Sequence, residues 1–332
     1  MTDLMPCRKL QIGVLTPICQ EWFHLHPDKI ELCQNIANCD YIIYESNGDP
    51  CQMIMKIKSR YPHNKLVFIL SGDQSAHIDD SCIWFTNAVK PSGLADKQTQ
   101  IFVSNPTIFK FYDSYQAEIA GGGIDSRIEK RETDIYFKGT IWAGMRVGMY
   151  NYFTDKEINN KGRSGSNQVR IKMIANNNYW SWRLNGIRKP TQSELESVAY
   201  ESYREMINSK MILCPKGNGN SSMRILEALG CGAIPILIDD FSAPFGNSWD
   251  GVGLVFNSQI HTWDHIYNEC RKLLANNRKM TEMQEKGQQY FQNVIYGDKL
   301  LNQANWTPYK DINTVSYGFS NMIINKLIEL HK

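Results

Sequence analysis

The fold is decided by one stretch, Ser209–Phe245, which has the sequence SKMILCPKGNGNSSMRILEALGCGAIPILIDDFSAPF. It contains an apolar strand at Met211–Pro215, a glycine-bearing loop, a helix at Ser221–Leu229 and a second apolar strand at Ala233–Ile238 that ends in an acidic pair. Strands that alternate with helices and are apolar throughout are typical of a parallel sheet with both faces covered. The stretch therefore predicts an α/β unit.

The N-terminal part of the chain alternates in the same way. Strands are predicted at Gln11–Thr16, Asp40–Glu45 and Lys65–Leu70, and the spacing of apolar residues predicts a helix over Asp28–Ala37. Thr191-Gln-Ser-Glu194 is a capping-box pattern, which predicts a helix over Thr191–Asn208. This alternation predicts a second parallel sheet, formed by residues N-terminal to Ser209–Phe245.

The length of 332 residues is enough for two domains at about 100–200 residues each. Three glycines open a polar segment at 120–130, which we interpret as the linker. We therefore predict two Rossmann-like domains, over residues 1–130 and 131–310, and a terminal helix in 311–332. We expect this terminal helix to pack back on the N-terminal domain.

Composition excludes several classes of protein. Lys and Arg number 36 against 34 Asp and Glu, a net charge of +2, and dedicated nucleic-acid proteins usually show a larger basic excess. The longest apolar runs, Leu66–Leu70 and Ala233–Ile238, are far shorter than the roughly 20 residues of a membrane span. Nine scattered cysteines, without a secretory signal pattern, favour reduced thiols. We expect a cytoplasmic protein without nucleic-acid or membrane-spanning parts.

The loop of the first-quoted stretch has the chemistry of an anion site. Gly217 and Gly219 allow close approach of a ligand to the backbone, and the loop leads into a helix N-terminus, which favours phosphate. Arg224 and Glu227 are three residues apart and share a helix face. Arginine can reach a phosphate while glutamate accepts hydrogen bonds from ribose hydroxyls, which together fit a nucleoside diphosphate.

A second interpretation of the same loop stays open. Gly217-Asn-Gly219-Asn-Ser-Ser222 is close to the G-x-G-x-x-G fingerprint, and Asp239 lies 20 residues after Gly219, as in a nucleotide-dependent oxidoreductase. The third glycine is missing. A glycine-bearing turn within an α/β core, without a ligand, is the structural alternative.

The order of motifs resembles the exostosin family, glycosyltransferase family 47. The elements that carry the resemblance are, in order, Ser209-Lys210 before a strand, Cys214-Pro215-x-Gly217, Arg224-x-x-Glu227-Ala228-Leu229, Gly232-Ala-Ile-Pro235, Asp239-Asp240 and Pro244-Phe245. A weaker similarity lies at Tyr136-Phe137-Lys138-Gly139. The resemblance implies a GT-B fold, in which two Rossmann-like domains with parallel sheets face an interdomain cleft. It also implies inverting, metal-independent transfer of a sugar from a UDP-sugar to a hydroxyl of an acceptor glycan. The eukaryotic members carry a membrane anchor and a stem, for which we find no pattern in this sequence, and we therefore expect a soluble member without an anchor.

Donor binding is expected in the second domain. The candidate donor-binding residues are Lys138, Gly139, Lys216, Gly217, Asn218, Gly219, Ser221, Ser222, Arg224, Glu227, Asp239 and Asp240. The sequence contains no D-x-D, so we expect the cations and the helix N-terminus to stabilise the leaving diphosphate without a metal. The UDP-sugar is then a co-substrate and no cofactor is needed.

The general base is expected in the first domain. Asp73 directly follows the strand Lys65–Leu70, where α/β folds place ligand-facing residues, and we predict it to be the catalytic carboxylate. A helix cap or an Asx-turn at Asp73 is the alternative. Further acceptor-side candidates are Glu45, His77 and His24. A catalytically inactive GT-B partner that only binds glycans is the non-enzymatic alternative, and xylose, galactose, arabinose, glucuronate and N-acetylglucosamine all remain open as the sugar.

Overall fold

The structure is a computed structural model that describes twelve segments of the chain. These are residues 8–15, 26–46, 51–70, 81–86, 98–100, 106–141, 144–160, 168–176, 191–217, 222–239, 248–296 and 317–331. Within them the strands form two separate sheets, and every strand pairs in parallel with its neighbours.

The first sheet has six strands in the order β2-β1-β3-β4-β5-β6. They are β1 (Leu10–Val14), β2 (Ile30–Leu32), β3 (Tyr41–Ser46), β4 (Leu66–Leu70), β5 (Ile83–Thr86) and β6 (Gln98–Gln100). Helix α1 (Cys51–Lys58) connects β3 to β4, and α2 (Pro106–Ala120) follows β6.

The second sheet has five strands in the order β11-β10-β9-β7-β8. They are β7 (Thr133–Gly139), β8 (Ile171–Ala175), β9 (Ser209–Pro215), β10 (Ile234–Ile238) and β11 (Leu254–Phe256). The helices are α3 (Gly144–Asn160), α4 (Gln192–Ile207), α5 (Met223–Gly230), α6 (Trp263–Leu274) and α7 (Asn277–Tyr290), which runs into a π-helical turn at Phe291–Tyr296, and α8 (Tyr317–His331).

The sequence patterns explain the central elements. Strand β10 is buried along its whole length, as its uninterrupted apolar sequence predicts. Helix α4 begins at the predicted capping box: the Thr191 side chain accepts from the backbone N–H of Glu194, and the Glu194 carboxylate accepts from the backbone N–H of Thr191. The predicted α/β fold class, with two Rossmann-like parallel sheets, is confirmed.

The helix predicted over Asp28–Ala37 is wrong. The segment forms the short strand β2, which pairs with β1 at Leu10 and Ile30, and a 3-10 turn at Ile36–Asn38. Ile30 is buried beside β1, whereas Glu31 and Leu32 are exposed. The pairing with β1 therefore overrides the helical spacing of the apolar residues, which local pattern alone cannot foresee.

Helix α2 follows the first sheet in sequence but packs on helices of the second. Phe111 lies 5.3 Å from Tyr203 of α4 between ring centroids, and Tyr112 lies 4.9 Å from Phe291. The Tyr115 hydroxyl accepts from the buried Arg131 guanidinium at 2.9 Å. The domain boundary placed at residue 130 stays a prediction.

Helix α8 contacts the first sheet. The Tyr41 hydroxyl on β3 donates to the Leu327 carbonyl at 3.2 Å, and Lys29 Nζ donates to Asn325 Oδ1 at 3.1 Å. Ile323 and Leu327 are fully buried in this contact layer. None of the helices in the described segments is both long and apolar enough to cross a membrane.

Candidate functional site

The second sheet has a topological switch point between β7 and β9. Its order places β8 on one side of β7 and β9 on the other, so the helices that follow β7 and β9 leave toward opposite faces. Met149 and Phe153 of α3 lie in one core layer, and Ile225 and Leu226 of α5 lie in the other. In open α/β sheets a crevice opens between such helices at the carboxyl ends of the strands, and ligands bind there.

Lys138 lies at the carboxyl end of β7 and faces this point. It is 9% exposed, and its Nζ lies 4.0 Å from Oε2 of the exposed Glu201. Burial lowers the pKa of Lys138, and the positive charge of Arg224 contributes in the same direction. The next residue, Gly139, is needed for packing, because a Cβ there would lie 2.9 Å from the Phe137 ring.

Arg224 and Glu227 form an ion pair on α5. Arg224 Nη1 lies 2.8 Å from Glu227 Oε2, and Arg224 Nη2 donates to the Lys138 carbonyl at 2.9 Å. Burial is the largest influence and acts to lower the pKa of Arg224, but the Glu227 carboxylate together with Tyr136, Cys214 and Cys231 acts to raise it, and the net pKa is raised. The structure thus brings together three predicted site residues, one from the end of β7 and two from helix α5.

Lys216 and Gly217 follow β9 at the same edge. Lys216 N donates to the Ile238 carbonyl at 3.1 Å, which continues the pairing of β9 with β10 beyond the strand. Arg146 binds the carbonyls at this strand end: its Nε donates to the Lys216 carbonyl at 2.9 Å, and its Nη2 donates to the Pro215 carbonyl at 3.2 Å. Arg146 was not among the predicted residues.

The N-terminus of α5 faces the same loop. Ser222 is the N-cap residue, is 8% exposed and makes no side-chain capping hydrogen bond within the described segments. The first turn of α5 contains no acidic residue. An uncapped N-terminus presents backbone N–H groups that favour an anion. Of the predicted loop residues, Asn218, Gly219 and Ser221 lie outside the described residues.

Asp239 directly follows β10 and has an unusual backbone conformation. Its φ is 104°, in the region that side chains rarely adopt, and its Oδ1 accepts from the Ser258 hydroxyl at 2.9 Å. A cavity of about 480 Å³ opens nearby, lined by residues of the first turn of α3 and by the segment 258–263. This volume is in the range of small-molecule sites. Asp240 lies outside the described residues.

The acceptor-side predictions fall mostly on segments that the structure does not describe. Asp73, His77 and His24 lie outside the described residues. Glu45 is described: it is 3% exposed and lies one residue before the carboxyl end of β3. Since β1 and β3 flank the switch point of the first sheet, Glu45 occupies the corresponding edge of that sheet.

The described part of the site is electropositive. Lys138 and Lys216 lie at or just after the carboxyl ends of β7 and β9, and Arg146 and Arg224 lie in the first turns of the helices that follow these strands. The carboxylates nearest to these cations are Glu227, 2.8 Å from Arg224, and the exposed Glu201, 4.0 Å from Lys138. Such an arrangement can bind a polyanion such as a diphosphate. Among the described residues, no three His, Cys, Asp or Glu side chains form a group that could hold a metal ion.

Comparisons with known proteins give only distant structural likenesses. A scan against protein-family models found no match, and a search of the curated proteins found none either. Among solved structures, a glycosyltransferase from Rickettsia africae ESF-5 is similar with a TM-score of 0.44 and 10% identity over 98% of both chains. Anabaena HepE in complex with UDP is similar with a TM-score of 0.43 and 10% identity, over 97% of this chain and 100% of that one.

A third similar structure is a putative UDP-N-acetylglucosamine 2-epimerase from Listeria monocytogenes, with a TM-score of 0.38 and 10% identity over 98% of this chain and 96% of that one. TM-scores this low and identities near one residue in ten assign no function to the chain. Membership of the exostosin family stays a prediction.

Proposed function

We propose that this protein is a glycosyltransferase that binds a UDP-sugar at the carboxyl edge of the second sheet. The observation that carries the proposal is the convergence of three cations, Lys138, Arg146 and Arg224, at the β7–β9 switch point, with the Glu227 carboxylate beside Arg224. Lys216, whose backbone follows β9 and binds Arg146, is proposed to add a fourth positive charge when the ligand is bound. A nucleoside diphosphate combines the two chemistries that this set can recognise.

The diphosphate is proposed to lie at the cations and the N-terminus of α5. A guanidinium carries five N–H groups, and Arg224 uses three of them, on Glu227, the Lys138 carbonyl and Met206 Sδ, so two donors remain. Glu227 contributes Oε2 to Arg224, and a carboxylate accepts several hydrogen bonds, so it can accept from ribose hydroxyls as well. The donor would then span α5 from its first turn toward its centre.

The proposed reaction is a single displacement. The acceptor hydroxyl oxygen attacks C1 of the sugar, the bond from C1 to the diphosphate oxygen breaks, and the hydroxyl proton passes to a carboxylate, for which Asp73 is the candidate. The cations stabilise the charge that grows on the departing UDP, without a metal ion. This route inverts the anomeric configuration, because one displacement takes place at C1.

The finer parts of the proposal extend the resemblance stated above. We propose that the enzyme is exostosin-like and has a GT-B fold, that its two sheets face a cleft, and that its first domain binds the acceptor glycan. A cytoplasmic location belongs to the same set. The support for them is the order of motifs around β9 and β10, and the two parallel sheets.

A titration and an activity assay test the proposal. UDP and UDP-sugars should raise the melting temperature in proportion to the logarithm of their concentration, since they bind only the native state. The preferred donor should release UDP when a suitable glycan is added. A change in nicotinamide absorbance would instead establish the oxidoreductase, and donor binding with no UDP release for any acceptor would establish the inactive partner. Absence of any nucleotide binding would overturn the proposal.

A further inference from the structure

We propose that Arg146 is a positioning residue that fixes the Lys216–Gly217 loop against the end of β7. This inference rests on the proposed function for its consequence in catalysis, but its structural part can be tested without a ligand. The residue lies in the first turn of α3, and its guanidinium is partly buried at the switch point.

The hydrogen bonds of Arg146 join two strand ends. Nη1 donates to the Thr140 carbonyl at 3.1 Å, Nη2 to the Pro215 carbonyl at 3.2 Å and Nε to the Lys216 carbonyl at 2.9 Å. Thr140 follows β7 and Lys216 follows β9, so one planar group connects the two strands on either side of the crevice. These carbonyls lie where the sheet ladder ends and need partners of their own.

The position is electrostatically unfavourable for a cation. The first turn of a helix carries partial positive charge, which disfavours Arg146 there. Burial lowers the pKa of Arg146, and the positive charge of Arg224 lowers it further. Among the residues that the structure describes, no carboxylate forms an ion pair with it. The three carbonyls that Arg146 binds stabilise its charge at this position, and we infer that an anionic ligand bound at the site would stabilise it further.

Gly217 gives an independent indication of the same contact. A Cβ at this position would lie 3.1 Å from Arg146 Nη2, so the guanidinium would have to shift. The absence of a side chain at Gly217 therefore allows Arg146 to approach the loop. We therefore expect substitutions at Arg146 and Gly217 to have non-additive effects, because a side chain at Gly217 displaces the Arg146 guanidinium.

The experiment uses four variants of the full chain: Arg146→Met, Arg146→Lys, Gly217→Ala, and the double variant of Arg146→Met with Gly217→Ala. Lys156→Met is the matched control, because Lys156 is a cation on the same helix that pairs with Asp264 at 3.5 Å, away from the strand ends. Hydrogen exchange of the peptide that contains Lys216 is measured without ligand. The Kd of UDP is measured by isothermal titration.

In Arg146→Met we expect faster exchange of this peptide and a Kd for UDP raised about 10- to 100-fold, the cost of losing charged hydrogen bonds and the order that they impose. Arg146→Lys should restore part of the affinity but not the exchange protection, since an ammonium cannot hold three carbonyls in a planar fork. Gly217→Ala should weaken UDP binding in the wild-type background and have little further effect beside Arg146→Met. Lys156→Met should match the wild type in both measurements.

Unchanged exchange in Arg146→Met would overturn the inference, whatever UDP does. So would an Arg146→Lys protein equal to the wild type in both measurements, because charge alone would then suffice. If Arg146→Met does not fold, the same measurement is made on Arg146→Lys and Gly217→Ala. Exchange of the Lys216 peptide at the wild-type rate in both variants would then overturn the inference. If the wild type binds no UDP, the proposed function fails while the exchange measurements still test the positioning role.

Discussion

Glu227→Gln separates the ribose contact from the ion pair with Arg224. A hydrogen bond to a charged acceptor contributes about 1.5–3 kcal/mol, and one to a neutral acceptor about 0.5–1.5 kcal/mol. Removing the 2′-hydroxyl should therefore cost the wild type about 10- to 150-fold in affinity, measured as the Kd ratio of 2′-deoxy-UDP to UDP. In Glu227→Gln that ratio should fall to about 10-fold or less, because a neutral amide replaces the carboxylate.

The assay is isothermal titration of both nucleotides with both proteins, which forms a double-mutant cycle. Arg224 loses its partner at 2.8 Å in this variant, so the melting temperature is measured in parallel to separate folding from binding. Glu282→Gln is the control: Glu282 pairs with Arg278 at 2.8 Å on α7, an exposed pair of the same chemistry. An equal Kd ratio in wild type and Glu227→Gln would refute a ribose contact by Glu227.

Three further predictions concern the metal, the base and acid stability. Activity should survive EDTA, and complete loss that manganese or magnesium restores would contradict the proposed stabilisation of the leaving group by cations. Asp73→Asn should bind UDP normally while its rate of UDP release falls about 10²- to 10⁴-fold, and the anomeric proton coupling of the wild-type product should show inversion. Burial lowers the pKa of His26 from 6.5 to about 4, so the unfolded chain binds the proton first. The free energy of unfolding should therefore fall by up to about 3 kcal/mol between about pH 6.5 and 4, and denaturant titrations of His26→Gln should show a shallower decline.

The elements that sequence predicts well here are those with a strong local signal. The apolar runs of β9 and β10 and the Thr191–Glu194 capping box need no tertiary context to be recognised. The three-residue spacing of Arg224 and Glu227 likewise fixes their common face, which the ion pair in the structure bears out. The same reasoning failed over Asp28–Ala37, because only pairing with β1 decides the conformation of that segment.

Arg146 illustrates what the sequence cannot supply. Its partners are backbone carbonyls of Thr140, Pro215 and Lys216, and carbonyls carry no residue-specific signal in the sequence. The sequence analysis predicts no helix at this position, and the unfavourable placement of Arg146 in the first turn of α3 is seen only in the structure. β7 and β9 are adjacent in the sheet although β8 lies between them in the sequence, and only this adjacency shows which carbonyls Arg146 reaches.

The structure gives packing reasons for two glycines of the Ser209–Phe245 stretch. Gly217 was interpreted as an opening for a ligand, but its missing side chain already accommodates Arg146. Gly232 has a φ of +63°, and a Cβ there would lie 2.5 Å from the Tyr115 hydroxyl, so packing and backbone both require it. Since the near-match to a dinucleotide fingerprint depends on Gly217, its support for an oxidoreductase weakens when a protein contact explains that glycine. The case for a nucleoside diphosphate therefore rests on the cluster of Lys138, Arg146 and Arg224 with the Glu227 carboxylate, and not on the glycine motif.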